Sequence, residues 1–321
     1  LLVALVVALT AAEVVLRTVV GLGDPPLYVL DDQIEYLHKP SSTYHRFGNT
    51  VRINQWSMRA DEFPARKADP RELRVLLMGD SVLAGGGRVD QSELAATVIG
   101  PELDRVSGRP VVVGNASAGS WGPPNLLAYA ERFGFFEADA VVLVLNSNDY
   151  DDVPGLEPIG PQWPTRRPLL ALQEVAENYG PRLLARLGLR GRDAPAHAAT
   201  HEQDVAQALG ALRALIDKAR GQGARVVVVQ YLKQSELGSS GSPEPGYAAI
   251  RAIADAAKVR TVDTSGAFTA NGVPRSNFFL PGDNVHPSAA GQRALGALIA
   301  SAVMQELGLT GTDDQPIRGG R

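Results

Sequence analysis

Ser81 lies in Gly79-Asp80-Ser81, directly after the apolar run Arg74-Val-Leu-Leu-Met-Gly79. A hydroxyl at the end of a buried strand, with backbone N–H groups beside it, is placed to attack a carbonyl carbon. Asp283-Asn-Val-His286-Pro287 stands directly before the last helical stretch, and His286 is one of only five histidines. A serine nucleophile needs a base to take its proton and a carboxylate to hold the imidazole in the right tautomer. Asp and His three residues apart on one turn supply both. Asn146-Ser-Asn148-Asp149 closes a third apolar run, where an amide donates to a developing oxyanion or simply closes an Asx turn. The fourth segment is Gly114-Asn115-Ala-Ser-Ala-Gly119-Ser120-Trp121-Gly122-Pro123-Pro124. Its glycines allow a backbone N–H to approach a substrate oxygen, or make an ordinary turn.

The elements around these residues give them a common address. β-branched apolar runs at Arg74–Gly79, Pro110–Gly114, Ala140–Leu145, Arg225–Gln230 and Val259–Asp263 are what strands covered on both faces require. Helical stretches at Glu93–Val106, Asn125–Phe133, Asp204–Gly221, Tyr247–Ala257 and Ala289–Leu307 lie between or after them. Strand alternating with helix predicts right-handed crossovers and a parallel, doubly wound sheet. The four segments then fall at C-terminal strand ends or before the last helix, so they meet at one edge of one sheet.

Gly-Asp-Ser, an Asn/Gly loop, an x-x-Asn-Asp turn and a terminal Asp-x-x-His, in that order, resemble the SGNH hydrolases, the family of GDSL esterases and lipases. The resemblance covers Arg71 to Leu309. It implies a flavodoxin-like three-layer αβα sandwich on a five-stranded parallel sheet, with Ser81 as nucleophile, His286 as base and Asp283 orienting it. It implies further that Asn148 and the Ser81 backbone N–H serve as oxyanion donors. The third donor is a backbone N–H in the second motif, at Ser120 or at Gly119 one place earlier. Asn146 occupies the position where that family usually has glycine, a change that adds a polar group beside the cleft. Asp80, Asn146, Trp121 and Trp163 are the side chains expected around the substrate. The chemistry calls on no metal and no cofactor.

Composition sets the limits. The chain has 321 residues, 45% apolar and 21% charged, which is globular rather than disordered composition. A net charge of −4 offers no basic face for nucleic acid. Without cysteine, a thiolate nucleophile, a thiolate zinc site and disulfides are all excluded. Residues 1–22 are apolar apart from Glu13 and Arg17, which are four apart and able to pair on one helix face. About 20 such residues cross a bilayer. The chain begins without methionine, so a positive flank is expected upstream, and no small-x-small cleavage site stands out. The expectation is an uncleaved signal anchor holding an extracytoplasmic enzyme in a bacterial envelope; a signal peptide and an amphipathic helix packed on the body are the alternatives.

Residues 23–70 read as a small β-rich apron, residues 71–310 as the hydrolase domain and residues 311–321 as a tail. One stretch breaks the rhythm: about 80 residues separate the third strand from the fourth, far more than a single-helix crossover needs. Its part 151–200 is proline- and glycine-rich at first, helical at Leu169–Leu187 and loop-like from Gly188 to Thr200. Leaving the sheet's C-terminal edge, it is expected to form a cap or cleft wall. Trp163, with Pro161 and Pro164, would stack on a sugar or line an acyl pocket, and Arg166 and Arg167 would meet an acidic polysaccharide.

Other readings compete. An α/β-hydrolase elbow would use Ser117, but Asn115-Ala-Ser117-Ala-Gly119 lacks the first glycine. His197 and His201, with Glu202 and Asp204, have helical metal-ligand spacing but no obvious third ligand. A carbohydrate-binding protein that kept the fold and lost the chemistry would normally have lost one of these residues. Within the enzyme class, the same triad serves either a hydrolase of carboxylic or carbohydrate O-acyl esters or an O-acyltransferase of envelope polysaccharide. The expected substrate is accordingly a small-molecule or polysaccharide ester.

Overall fold

In the computed structural model, which describes residues 1–155, 160, 162–186, 201–237, 243–269 and 272–309, five strands form one parallel sheet. They are β5 (Leu73–Gly79), β6 (Val111–Ser117), β7 (Ala140–Asn146), β8 (Arg225–Tyr231) and β9 (Arg260–Asp263), in the order β6-β5-β7-β8-β9. That is the flavodoxin-like 2-1-3-4-5 order, whose switch point lies beside the first strand. The alternation of side chains along each strand divides the core in two. Leu76, Met78, Val141, Leu143 and Val228 pack under α4 (Pro123–Phe133), α6 (His201–Gly221) and α7 (Pro245–Ala256). Leu73, Val75, Leu77, Val142 and Val229 pack under α3 (Ala95–Ser107) and α8 (Ala289–Leu307). Continuous apolar runs are required because both faces are dry.

The apron consists of two antiparallel hairpins, β1 (Tyr28–Asp31) with β2 (Glu35–His38) and β3 (Ser42–Arg46) with β4 (Asn49–Ile53). It does more than link. Ile34, Tyr36, Leu37, Met58 and Phe63 belong to the same core as α4 and α6. Arg59 is fully buried, and its guanidinium donates to the carbonyls of Ala84, Gly86, Val89 and Thr50 and to Gln91 Oε1. Burial pulls its pKa down to about 10. The Ala84, Gly86 and Val89 carbonyls lie in the segment that follows Ser81, so the apron braces that segment.

At the N-terminus, α1 (Leu2–Val15) continues through a π-turn at Leu16–Val20 and ends at Gly21, which has left-handed backbone. The 19 residues Leu2–Val20 have a mean hydropathy of 2.1, and no part of this helix is buried. Its two charges are engaged: Arg17 pairs with Glu13 at 2.5 Å. The insertion's helix, α5 (Ala171–Arg186), begins against that pair. Pro161, the loop Gly188–Thr200 with His197, and the tail 311–321 lie outside the described residues.

Candidate active site

Ser81 is the first residue of a single helical turn, α2 (Ser81–Ala84), capped by Asp80, whose Oδ1 accepts the Val82 N–H at 2.8 Å. Gly79 is demanded by packing: a Cβ there would stand 2.6 Å from the Val144 carbonyl oxygen. The Ser81 N–H, at the start of that turn, has no acceptor within its own helix.

His286 Nε2 is 3.1 Å from Ser81 Oγ, and His286 Nδ1 is 2.8 Å from Asp283 Oδ2. Asp283 Oδ1 accepts the N–H groups of Val285 and His286. Burial pushes the Asp283 carboxyl up, but these N–H groups and the imidazole outweigh it and hold the pKa below the ordinary value. The loop carrying both residues is fixed from two sides. Tyr231 at the end of β8 donates its hydroxyl to the Val285 carbonyl at 2.6 Å. Asn284 accepts from the backbone N–H groups of Gln234 and Ser235. Gln292, buried in α8, donates to the Val82 carbonyl and accepts from the Ala95 N–H, tying the last helix to the Ser81 turn.

Asn146 and Asp80 occupy a different place from the expected substrate contacts. Both are buried, and the Asn146 amide donates to Asp80 Oδ2 at 2.7 Å and to Asp149 Oδ1 at 3.1 Å. Asn146 therefore cross-braces the Ser81 turn and the Asn-Asp turn from inside. Burial and neighbouring charge raise the carboxyls there. Asp80 goes to about 6, opposed by the Val82 N–H and His286, while Asp149 is raised by burial and by Asp80. Asp152 reaches about 7 through burial and the charges of Asp80, Glu35 and Asp151.

Asn148 is exposed on the 3₁₀ turn Ser147–Tyr150. Its Oδ1 accepts from Lys233 Nζ at 2.9 Å, and Lys233 in turn pairs with Glu244 at 2.5 Å. Lys233 is itself buried, its backbone N–H held by Glu236, which also accepts from Ser147 Oγ. Nothing in the motif pattern had pointed to Lys233. The available signal was its place just past a C-terminal strand end, on the same sheet edge as Ser81 and Asn148.

In the second-motif loop, the Gly119 carbonyl accepts the Tyr36 hydroxyl, and Ser120 is exposed with a left-handed φ of 53°. Trp163 stands over this loop, its indole nitrogen 3.6 Å from where a Gly119 Cβ would be. Trp121 is only 1% exposed; it packs on Tyr129 and donates its indole N–H to the Tyr36 carbonyl. It is a core residue and not a substrate contact, enclosed on the Tyr129 and Tyr36 side. Ser117 is fully buried and donates to Asn115 Oδ1, which rules it out as an elbow nucleophile. His201 contacts Tyr150 and Asp151, and among the described residues no three His, Asp or Glu side chains gather as metal ligands.

The insertion divides in two. Its first residues lie against the site: a Cβ on Gly122 would collide with the Asp152 carbonyl. Its helix α5 turns away from the cleft and packs on the N-terminal helix, where Glu174 accepts from Arg46 and from the Gly23 N–H. Arg167 is paired with Asp24 in that region, while Arg166 is exposed.

No curated protein matches the sequence. Solved structures of similar shape include an acetylxylan esterase from Geobacillus stearothermophilus, at 16% identity over 74% of this chain and 94% of that one, with a TM-score of 0.45. A psychrotrophic esterase from a Pseudoalteromonas species shares 16% identity over 73% and 98%, with a TM-score of 0.43. A GDSL-like lipase from Bacteroides thetaiotaomicron shares 14% over 72% and 88%, with a TM-score of 0.39. The sequence itself matches the GDSL-like Lipase/Acylhydrolase family over residues 77–294, a span that runs from β5 into α8 and takes in all four motifs. By that match the chain belongs to the GDSL-like Lipase/Acylhydrolase family and is an ester-bond hydrolase.

Proposed function

We propose that Ser81, His286 and Asp283 are the catalytic triad of a serine esterase working through an acyl-enzyme. The observation that carries this reading is the unbroken chain from Ser81 Oγ through His286 to Asp283, at 3.1 and 2.8 Å. Ser81 Oγ attacks the ester carbonyl carbon as its proton passes to His286 Nε2, while Asp283 stabilises the imidazolium. Collapse expels the alcohol, which takes the proton from Nε2. Water then attacks the acyl group by the same proton path, releasing the acid and restoring Ser81.

Three donors serve the oxyanion in this reading. The Ser81 N–H is one. Asn148 is the second: an ammonium only donates, so the atom facing Lys233 must be Oδ1, which turns Nδ2 the other way. The third is the N–H of Ser120 in preference to that of Gly119. A trans planar peptide sets this N–H antiparallel to the Gly119 carbonyl, and Tyr36 holds that carbonyl on the apron side.

The substrate class proposed is an O-acyl ester with a small acyl group on a carbohydrate or comparable alcohol. It is supported by the open position of the triad, where the His286 side chain is 42% exposed, and by half-buried Trp163 beside the Gly119 loop. The apolar helix Leu2–Val20 supports anchorage to a membrane. The test is labelling with a fluorophosphonate, followed by steady-state hydrolysis of aryl acetate and of a longer acyl ester. Labelling at Ser81, lost in Ser81→Ala together with acetate hydrolysis, is the expected result. A labelled residue elsewhere would sink the assignment.

A further inference from the structure

Leu169 is the most exposed large apolar side chain among the described residues after the N-terminal helix, at 87%, and Leu170 beside it is 51% exposed, where α5 begins. Their position relative to the N-terminal helix is fixed by hydrogen bonds. Arg17 Nη2 donates to the Leu169 carbonyl at 2.7 Å. The two carboxylate oxygens of Glu13 accept the N–H groups of Ala171 and Leu172 at 2.8 and 3.0 Å. Glu13 thus satisfies the otherwise free donors at the start of α5, and its negative charge meets the positive end of that helix. Glu13 and Arg17 are the only charges in Leu2–Val20, and both are neutralised by each other and by this corner.

The level of the contact follows from helix geometry. With a rise of about 1.5 Å per residue, Arg17 and Glu13 lie roughly 5 and 10 Å back along the helix from Val20. The whole apolar span is about 28 Å, close to a hydrocarbon core of about 30 Å. Apolar faces that lie in a membrane interface bury to a depth of about 5–10 Å. A second element reaches the same side: Phe47, at the β3–β4 hairpin tip, donates its N–H to the Val20 carbonyl, and its ring is partly exposed. The polar groups of this corner are paired with protein, while its leucines face outward beside an unburied apolar helix.

We infer that the Leu169–Leu170 corner of the insertion sits in the interfacial zone of a lipid bilayer alongside the N-terminal helix, a second point of membrane contact. This rests on the anchor reading of Leu2–Val20 given above. Its consequence is geometric. The segment from Trp163 to Ala171 connects the Gly119 loop to this corner, so a two-point attachment fixes the height and tilt of the cleft above the bilayer. An anchor followed by a free linker would not.

Because the chain has no cysteine, single-cysteine variants report positions cleanly. Leu169→Cys, Leu5→Cys and Gln222→Cys (Gln222 is exposed in the turn before β8) would each carry an environment-sensitive fluorophore. The full chain would be reconstituted in phosphatidylcholine–phosphatidylglycerol vesicles containing nitroxide lipids labelled near the headgroup or deep in the acyl chain. The expected pattern is blue-shifted Leu169→Cys emission quenched more by the shallow nitroxide, Leu5→Cys quenched more by the deep one, and Gln222→Cys quenched by neither. If Leu169→Cys behaves like Gln222→Cys while Leu5→Cys is quenched, the corner is in water and the inference fails with the anchor intact. If Leu5→Cys is unquenched, the anchor reading fails and takes the inference with it.

Discussion

Lys233 Nζ donates to Asn148 Oδ1 at 2.9 Å, so a buried ammonium fixes which end of an exposed amide turns toward Lys233 and leaves the other end for the oxyanion role proposed above. Lys233 touches no reacting atom in the proposed mechanism; it is a positioning residue. Lys233→Met should lower kcat for aryl acetate about tenfold with little change in KM, because the amide must then be oriented at a cost of roughly 1.4 kcal/mol in the transition state. Asn148→Ala should cost about 3 kcal/mol, as for one preorganised donor. The double variant should be no worse than Asn148→Ala alone, since Lys233 acts through Asn148. Additive losses in the kinetic cycle would show that Lys233 works in some other way.

Tyr36 acts similarly on the opposite wall. Burial raises its phenol far above the ordinary range, so it is always a donor to the Gly119 carbonyl. Tyr36→Phe keeps the ring packing against Trp163 and Tyr28 but releases that carbonyl. The expected outcome is a several-fold fall in kcat with an unfolding free energy lowered by no more than about 1 kcal/mol, the typical net worth of one hydrogen bond. An unaltered kcat would place the third oxyanion donor elsewhere than on the Ser120 peptide.

Stability should rise as pH falls from 8 to about 6.5. With a native pKa of about 7 against an unfolded value near 3.9, Asp152 keeps its proton in the folded state through a range where the unfolded state has lost it. The penalty is present above pH 7 and is relieved as pH falls through that value. Below about 6.5 an opposing group enters: burial and the charge of Arg59 push His38 down to about 4, so the unfolded state binds its proton first. Asp152→Asn should therefore flatten the slope between pH 8 and 6.5 and raise the midpoint at pH 8 by roughly 3 °C, equivalent to about 1 kcal/mol. Thermal melts at the two pH values check the sign directly.

Trp163→Ala should leave aryl acetate turnover within about twofold while raising KM for an acetylated oligosaccharide, because the lost surface binds the remote part of the substrate. Parallel losses on both esters would mean that the indole supports the Gly119 loop and does not contact the sugar.

The strands were legible in the sequence for a simple reason. Val141 to Leu145 and Val226 to Val229 are apolar at every position because both sheet faces are covered. Ser81, Asp283 and His286 were legible because a short-range turn places each one. Side chains that act across the chain were not. Lys233 reads as an ordinary charged residue after a strand, and only its tertiary contact with a residue 85 positions away gives it meaning. Trp121 misled in the other direction: an aromatic in a Gly-Pro loop suggests a binding surface, yet its ring is buried against Tyr129. Asp80 and Asn146 likewise face each other across neighbouring strands and not the cleft.

The burial of Arg59 against the loop after Ser81 bears on where this protein can be cut. The family match begins at residue 77, which invites a soluble version starting near Arg71. Such a protein would lack the guanidinium that satisfies the Ala84, Gly86 and Val89 carbonyls, and Tyr36 and Met58 would be missing from the core. It should be insoluble or expanded, whereas a version beginning at the helix exit near Gly21 should fold and keep turnover. That outcome would put the start of the smallest autonomous unit about sixty residues before Gly79-Asp80-Ser81 and would make the hairpins part of the enzyme.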